Sequence, residues 1–328
     1  MQKQTVRNVS ISLLLSGLFL YLAFRTVPLA ELGAAFQRFD VRWLVPAVAI
    51  SLVLQVLRAW RWQLELRPLS HIGLGQVWLV TCIAYMAINV LPARLGEVVR
   101  PWLLSRRTAI SFANVVGNLV VEKTMDSLVI LFYILLGLLS AANLPAWVRR
   151  GALFPAAGAA VLVVLVLVLY FSGEAFFARR VVRYLPARAG TRLLRVVRAV
   201  VDGMRILPDR GLLAGVLAVS IALWFMPILS SYVLIHAFGF ALPFSAALIV
   251  FIFIGFGTAL PQAPGMIGTY QYACILALGL FGVPRADALA YGLVLNGIQL
   301  TTLVAQGVVA LAIARVGLED LRPARPGG

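Results

Sequence analysis

Arg94, Glu97 and Arg100 fall within seven residues of one another in NVLPARLGEVVRPWLLSRR, residues 89–107, directly after Pro92 breaks an apolar run. A guanidinium offers a planar fork of N–H donors that matches a phosphate bidentately. A short helix starting after Pro92 and Gly96 would add unsatisfied N–H groups and the positive end of its dipole, which together favour an anion. Glu97 can hold one guanidinium in place or compete with a ligand for it.

A second charged group, Glu122, Lys123 and Asp126, lies inside the apolar segment SFANVVGNLVVEKTMDSLVILFYILLGL. Glu122 and Asp126 are four residues apart and share a helix face, with Lys123 three residues before Asp126. Each ionisable residue within a span costs at least about 2.5–3.5 kcal/mol on insertion scales, so such groups face a partner or a cavity. Two readings stand: structural ion pairs with Arg94 or Arg100, or carboxylates that relay protons or gate the arginines until a ligand phosphate arrives. A third group is uncharged. Pro261, Pro264, Gly265 and Gly268 break another apolar run, with Gln262, Thr269, Tyr270, Gln271, Asn296 and Gln299 as uncharged polar candidates in the same half. These can line the same cavity or hydrogen-bond between helices.

The elements that must position these groups are membrane spans. The chain of 328 residues is 62% hydrophobic and only 12% charged, with a mean hydropathy of +0.97, far from the ~25% charged residues of a soluble domain. Apolar segments occur at about 9–24, 43–60, 72–91, 112–139, 152–171, 211–236, 244–260, 265–281 and 287–314. The net charge of +16 sits largely in arginines between them, which reads as the positive-inside rule and contact with anionic headgroups, not as nucleic-acid binding. The basic N-terminus leads into an apolar run without a small-residue cleavage site, so a retained first span is expected. Cys82 and Cys274 lie inside apolar segments, and His71 and His236 stand alone at segment edges. Neither pair has metal spacing, and no metal or cofactor is expected.

Residues 174–210 carry nine arginines. Leu193, Leu194, Val197, Val200, Val201 and Met204 recur there at helical spacing, with Arg192, Arg195 and Arg198 opposite, the pattern of an amphipathic helix on an anionic leaflet. That stretch should be cytoplasmic. Full crossing by every earlier segment would place it outside. Reading 72–107 and 244–284 as re-entrant helical hairpins from opposite faces puts both termini in the cytoplasm. Twenty-one Lys and Arg, Arg58, Arg61 and Arg67 among them, then lie inside against six outside. LPARLG at Leu91–Gly96 is matched by LPQAPG at Leu260–Gly265, each between an apolar arm and a short helix followed by a long span. Inverted repeats with broken helices belong to alternating-access transporters. The expected fold is one all-α polytopic transmembrane domain, an inverted-repeat helical bundle of about six full spans and two re-entrant hairpins. Its first repeat covers about 43–140, its connector 174–210 and its second repeat 211–314.

LPARLGEVVRPWLL, SFANVVGNLVVEKTMD and PQAPGMIGTYQ, in this order after RAWRW, resemble the lysylphosphatidylglycerol synthase transmembrane domain family, flippase-like integral membrane proteins. Pro92, Arg94, Gly96, Glu97 and Arg100 match its first motif. Glu122 and Asp126 match its intramembrane acids, with Lys123 where Arg is commoner, and Pro264, Gly265 and Gly268 match its second break. Gln271 stands where a Glu is often found, which speaks against a titrating carboxylate in that half. The resemblance implies translocation of a phospholipid or polyprenyl-phosphate-type lipid across the cell's inner membrane. It does not imply aminoacyl transfer, because RPARPGG leaves no room for the soluble domain of the bifunctional members. No catalytic constellation is present, so an enzyme is not expected. The alternative is a non-transporting scaffold that binds anionic lipid and assists a separate lipid- or glycan-modifying enzyme.

Overall fold

The computed structural model describes residues 14–91, 96–140, 144–180, 186–203, 209–258 and 264–314. Among them every regular element is helical. In order these are α1 (Leu14–Phe24), α2 (Leu29–Gln37), a 3₁₀ turn at Val41–Trp43, α3 (Leu44–Leu66), α4 (Leu74–Val90), α5 (Gly96–Arg107), α6 (Phe112–Ser140), α7 (Ala146–Gly151), α8 (Leu153–Arg180), α9 (Ala187–Gly203), α10 (Arg210–Ala237), α11 (Phe244–Thr258), a 3₁₀ turn at Pro264–Met266, α12 (Thr269–Gly279) and α13 (Arg285–Ala314). Hydrocarbon leaves N–H and C=O groups nothing to bond but each other, and a helix satisfies them within one segment.

Among the described residues, four stretches are long and apolar enough to cross a membrane: Val41–Leu66, Ala146–Leu169, Arg210–Ala237 and Arg285–Ala314. A fifth would be α1 with α2, if that pair, bent by 81°, is one span. At 29 residues α6 also exceeds the ~20 that a span needs, although it carries three charges within five residues. The arms at the two sequence breaks are shorter. The 17 residues of α4 and the 15 of α11 reach only about 26 Å and 22 Å at 1.5 Å per residue, less than the ~30 Å of hydrocarbon. Large apolar side chains such as Leu14, Val45, Leu139 and Phe154 lie exposed on the outer faces, where lipid would cover them.

Each short arm packs against the helix that follows its break. Gly96, the first residue of α5, is pressed onto the backbone of Ala87 and Ile88 in α4, leaving no space for a Cβ. Gly257 of α11 lies against Thr269 of α12. Arg38, at the end of α2, bonds the first turn of α13 through Asp287 at 2.8 Å.

Among the described residues, apolar packing divides into three cores. The largest joins α1, α2, the start of α3, α7, the later halves of α6 and α10, α11, α12 and the first half of α13. A second joins α3, α4, α5 and the end of α13 around Trp62, Ile83 and Leu104. In the third, Val197, Leu193 and Val201 of α9 pack against Leu64, Val121, Val166, Val216 and Val219 of α3, α6, α8 and α10. Of the stripe, Leu193, Val197 and Val201 pack on protein, and Arg195 and Arg198 are exposed.

Replacing Gly96 by Leu should separate α5 from α4, because its Cβ would occupy the backbone of Ile88. Overpacking of this kind costs about 1–3 kcal/mol or more, read as a lower unfolding temperature of the detergent-purified protein. Gly75, with nothing within 4 Å of its Cβ position, should accept Ala without such a loss.

Candidate functional site

Arg100, buried in α5, reaches across to α6 and donates from Nη1 to both oxygens of Glu122, at 2.9 and 2.8 Å. The Glu122 side chain is fully buried and also accepts from Arg61 Nη2 of α3 at 2.7 Å. Arg61 turns its other amino group to Asp126, which accepts a further bond from Trp224 Nε1 of α10 at 2.8 Å. Four helices therefore meet at two carboxylates. The spacing within α6 explains the division of labour: Glu122 and Asp126, one turn apart, take the two arms of a single guanidinium.

Aromatic and amide groups hold the arginines in position. The Arg100 guanidinium lies over the Trp62 ring, 3.9 Å from its centroid, a contact that orients the charge without competing for its donors. Trp62 Nε1 donates to Asn118 Oδ1 at 3.1 Å, and Asn118 Nδ2 donates to the Glu65 carbonyl at 3.2 Å, tying α3 to α6 one turn before Glu122. On α4, Tyr85 lies under the Arg58 guanidinium at 4.2 Å and within 6.0 Å of that of Arg100. Glu65, one turn after Arg61, completes the group at 3.5 Å from Arg61 Nε.

The cluster is deep. Trp224 is halfway along α10, 14 residues or about 21 Å from its first residue. Moving several charges from water to such a depth costs several kcal/mol per ion unless each is paired and hydrogen-bonded. Arg100, Arg61, Glu122 and Asp126 meet that condition.

Among the residues singled out from the sequence, Arg100, Glu122 and Asp126 are brought together. Lys123 is exposed on α6 beside them, and Glu97 is exposed in the first turn of α5. Pro92, Arg94, Pro261 and Gln262 lie outside the described residues. The neutral candidates of the second half bond the backbone of their own break. Asn296 Nδ2 donates to the Gly265 carbonyl at 3.1 Å, Gln271 Oε1 accepts from Gly268 N at 2.7 Å, and Thr269 Oγ1 donates to the Met266 carbonyl at 3.0 Å. Gly265 and Gly268 adopt φ of +70° and +94°, and Gly268 closes directly onto the Ser16 backbone, so these positions require glycine. Pro264 starts the turn, and Tyr270 is buried in the largest core. This turn packs against α4, the helix that also carries Tyr85.

Arg61, Trp62 and Glu65 are functional candidates that sequence reading missed. Ending the second span at residue 60 made Arg61 a cytoplasmic interfacial charge. The helix instead runs to Leu66 and buries Arg61 to 2% exposure, because its partners lie on α6 and not in water. A signal was available: Arg58, Arg61 and Glu65 recur at spacings of three and four in RAWRWQLEL, on one face of a helix.

Helical spans around a buried ion cluster define a multi-pass helical membrane protein. Residues 9–307 match the model of the lysylphosphatidylglycerol synthase TM region, and the chain belongs to that family. A UPF0104 membrane protein of Methanothermobacter thermautotrophicus is 22% identical over 299 residues, covering 86% of this chain and 88% of that protein. No solved structure matches.

Removing one member of a buried pair strands the other's charge. Arg100→Met alone should therefore lower stability by about 3–5 kcal/mol. Combined with Glu122→Gln it should cost less than the sum of the two single changes. A double-mutant cycle from chemical unfolding in detergent measures this, and additivity would show that the two side chains are not coupled.

Proposed function

We propose that this protein is a lipid translocase that carries a phosphate-bearing amphiphile between the leaflets of the membrane, its phosphate taken by Arg100 and Arg61 in exchange for Glu122. One observation carries the reading: two buried guanidiniums converge on a single carboxylate in the low-dielectric interior, where an arriving phosphate offers the same bidentate acceptor. Glu122 is then the resting occupant of an anion site. Displacing it frees both arginines at once and loosens α5 from α6. Arg94 and Glu97, at the entry to α5, would guide the headgroup toward Arg100.

The short arms support the rest of the proposal. On this reading α4–α5 and α11–α12 are re-entrant hairpins of two inverted repeats, about 43–140 and 211–314, within a bundle of about six full spans. Neither hairpin arm has the length to cross, and each is folded back at a Pro/Gly break. Alternating access would come from rocking of one repeat against the other. The uncharged turn at 264–271, capped by Gln271 and Asn296, would serve as the rigid counterpart to the charged half. Cytoplasmic termini in the inner membrane follow from the excess of arginines on that side.

A scaffold reading is favoured by one feature, the exposed Arg195 and Arg198 of α9, which could rest on an anionic leaflet or dock a lipid-modifying enzyme. The two readings separate in reconstituted vesicles. For a translocase, purified protein should exchange a fluorescent phospholipid between leaflets. Arg100→Ala should slow that exchange at least about tenfold, a loss of ~1.4 kcal/mol or more at the rate-limiting step. Arg195→Glu with Arg198→Glu should leave it nearly unchanged. Full activity of Arg100→Ala at equal amounts of folded protein would rule out the arginine site.

A further inference from the structure

Among the described residues of the cluster, Glu65 is the carboxylate that accepts no hydrogen bond. Its side chain is 2% exposed, and neither oxygen has a hydrogen-bond donor. The nearest cation, Arg61 Nε, lies 3.5 Å away and is itself unbonded. Glu122 and Asp126, by contrast, accept short bonds from Arg61, Arg100 and Trp224. Two buried guanidiniums thus face three buried carboxylates, with the half-buried Arg58 and the exposed Lys123 at the edge of the cluster, and the donors of the two guanidiniums go to Glu122 and Asp126. An ionised carboxylate with neither water nor donors is among the costliest groups to bury, whereas its neutral acid costs only a few kcal/mol.

We propose that Glu65 is a protonated, neutral acid in the resting cluster and that its ionisation opposes anion binding at the Arg61–Arg100 pair, so that the ligand is coupled to a proton. This rests on the assignment of that pair as the phosphate site. An ionised Glu65 would claim Arg61, one turn before it, and an arriving phosphate would then meet three carboxylates around two guanidiniums. With Glu65 neutral it meets two. The proton step is simple. The Glu65 O–H bond breaks and the proton passes to water, or returns from it when the anion binds. Leu64 and Arg67, close to Glu65 in the chain, line an open cavity of about 470 Å³ together with His71, Asp209, Leu212 and Gly215.

The charged groups that act on Glu65 are Arg61 on α3, Arg100 on α5, and Glu122 and Asp126 on α6. Arg58 of α3, Tyr85 of α4 and Lys123 of α6 act in turn on those groups, and Trp224 of α10 donates to Asp126. Residues 289–314 of α13 contain no charged side chain. Among the described residues, Glu65 combines burial with a carboxyl that accepts no hydrogen bond.

The sign of the linkage follows. Wherever Glu65 is ionised, binding must take up a proton, so affinity is highest at low pH and falls as pH rises through the ionisation, by up to tenfold per unit. Dioctanoyl phosphatidylglycerol is a suitable probe because its phosphodiester keeps one charge throughout. Calorimetric titration of the purified protein in detergent, from about pH 6 to about pH 9 in two buffers of different ionisation heat, measures both affinity and protons taken up. Wild type should lose affinity with rising pH and take up protons. Glu65→Gln, a neutral residue of the same shape, should bind with a flat profile and no uptake. Parallel curves for the two proteins would overturn the proposal.

A second arm needs no ligand. The infrared spectrum of the wild-type protein should contain a protonated-carboxyl stretch that Glu65→Gln removes, and identical spectra would overturn the proposal. If the lipid fails to bind wild type, or binds Arg100→Met equally well, the phosphate-site reading fails, while the infrared arm still decides whether Glu65 holds a proton.

Discussion

Glu122 has no water to fall back on, and the rest of the structure follows from that. In low dielectric its charge must be answered on the spot, and it is answered by Arg61 from one helix and Arg100 from another. Because those arginines come from two other helices, the pairing fixes how α3, α5 and α6 lie against each other. Asp126 extends the constraint to α10 through Trp224. Nonpolar packing alone would do this poorly in a membrane, where a leucine gains little by leaving lipid for protein. The apolar cores that flank the cluster define close contacts, but the ions define which contacts are possible.

The cluster also explains the unusual shape of its surroundings. A helix that delivers Arg100 to the interior from a nearby break must be short, and it must approach its neighbour closely. Gly96 makes that approach possible by bringing α5 onto the bare backbone of α4. The second break follows a different logic. Gly265 and Gly268 turn the chain with positive φ, and Asn296, Gln271 and Thr269 satisfy the backbone groups that the turn releases. One break is organised around charge and the other around its own hydrogen bonds. Two halves of similar sequence pattern therefore have different chemistry to offer.

Much of this was legible in the residues. The spans, both breaks, the intramembrane acids and Arg100 all show in local composition, because burial of any charge in an apolar run is costly enough to leave a mark. Arg61 and Glu65 were harder to place. They stand at the end of an apolar run, where a charge facing water and a charge facing a partner look identical. Only the positions of Glu122 and Asp126 across the helix interface separate the two cases. The fate of the α9 stripe was equally ambiguous, since lipid and the apolar faces of α3, α6 and α10 make the same demand on Leu193 and Val197.

By itself, then, the sequence determined an all-helical membrane chain with two proline-glycine breaks and charged residues beyond the reach of water. These are properties of short segments, set by hydropathy, helical period and the geometry of proline and glycine. The tertiary structure decided which charges meet. It joined Arg100 with Glu122 across 22 residues and Arg61 with Asp126 across 65, and it left Glu65 without a donor. Electrostatic pairing acts through space over a few ångströms, so its outcome depends on how the helices pack, and no local spacing encodes that.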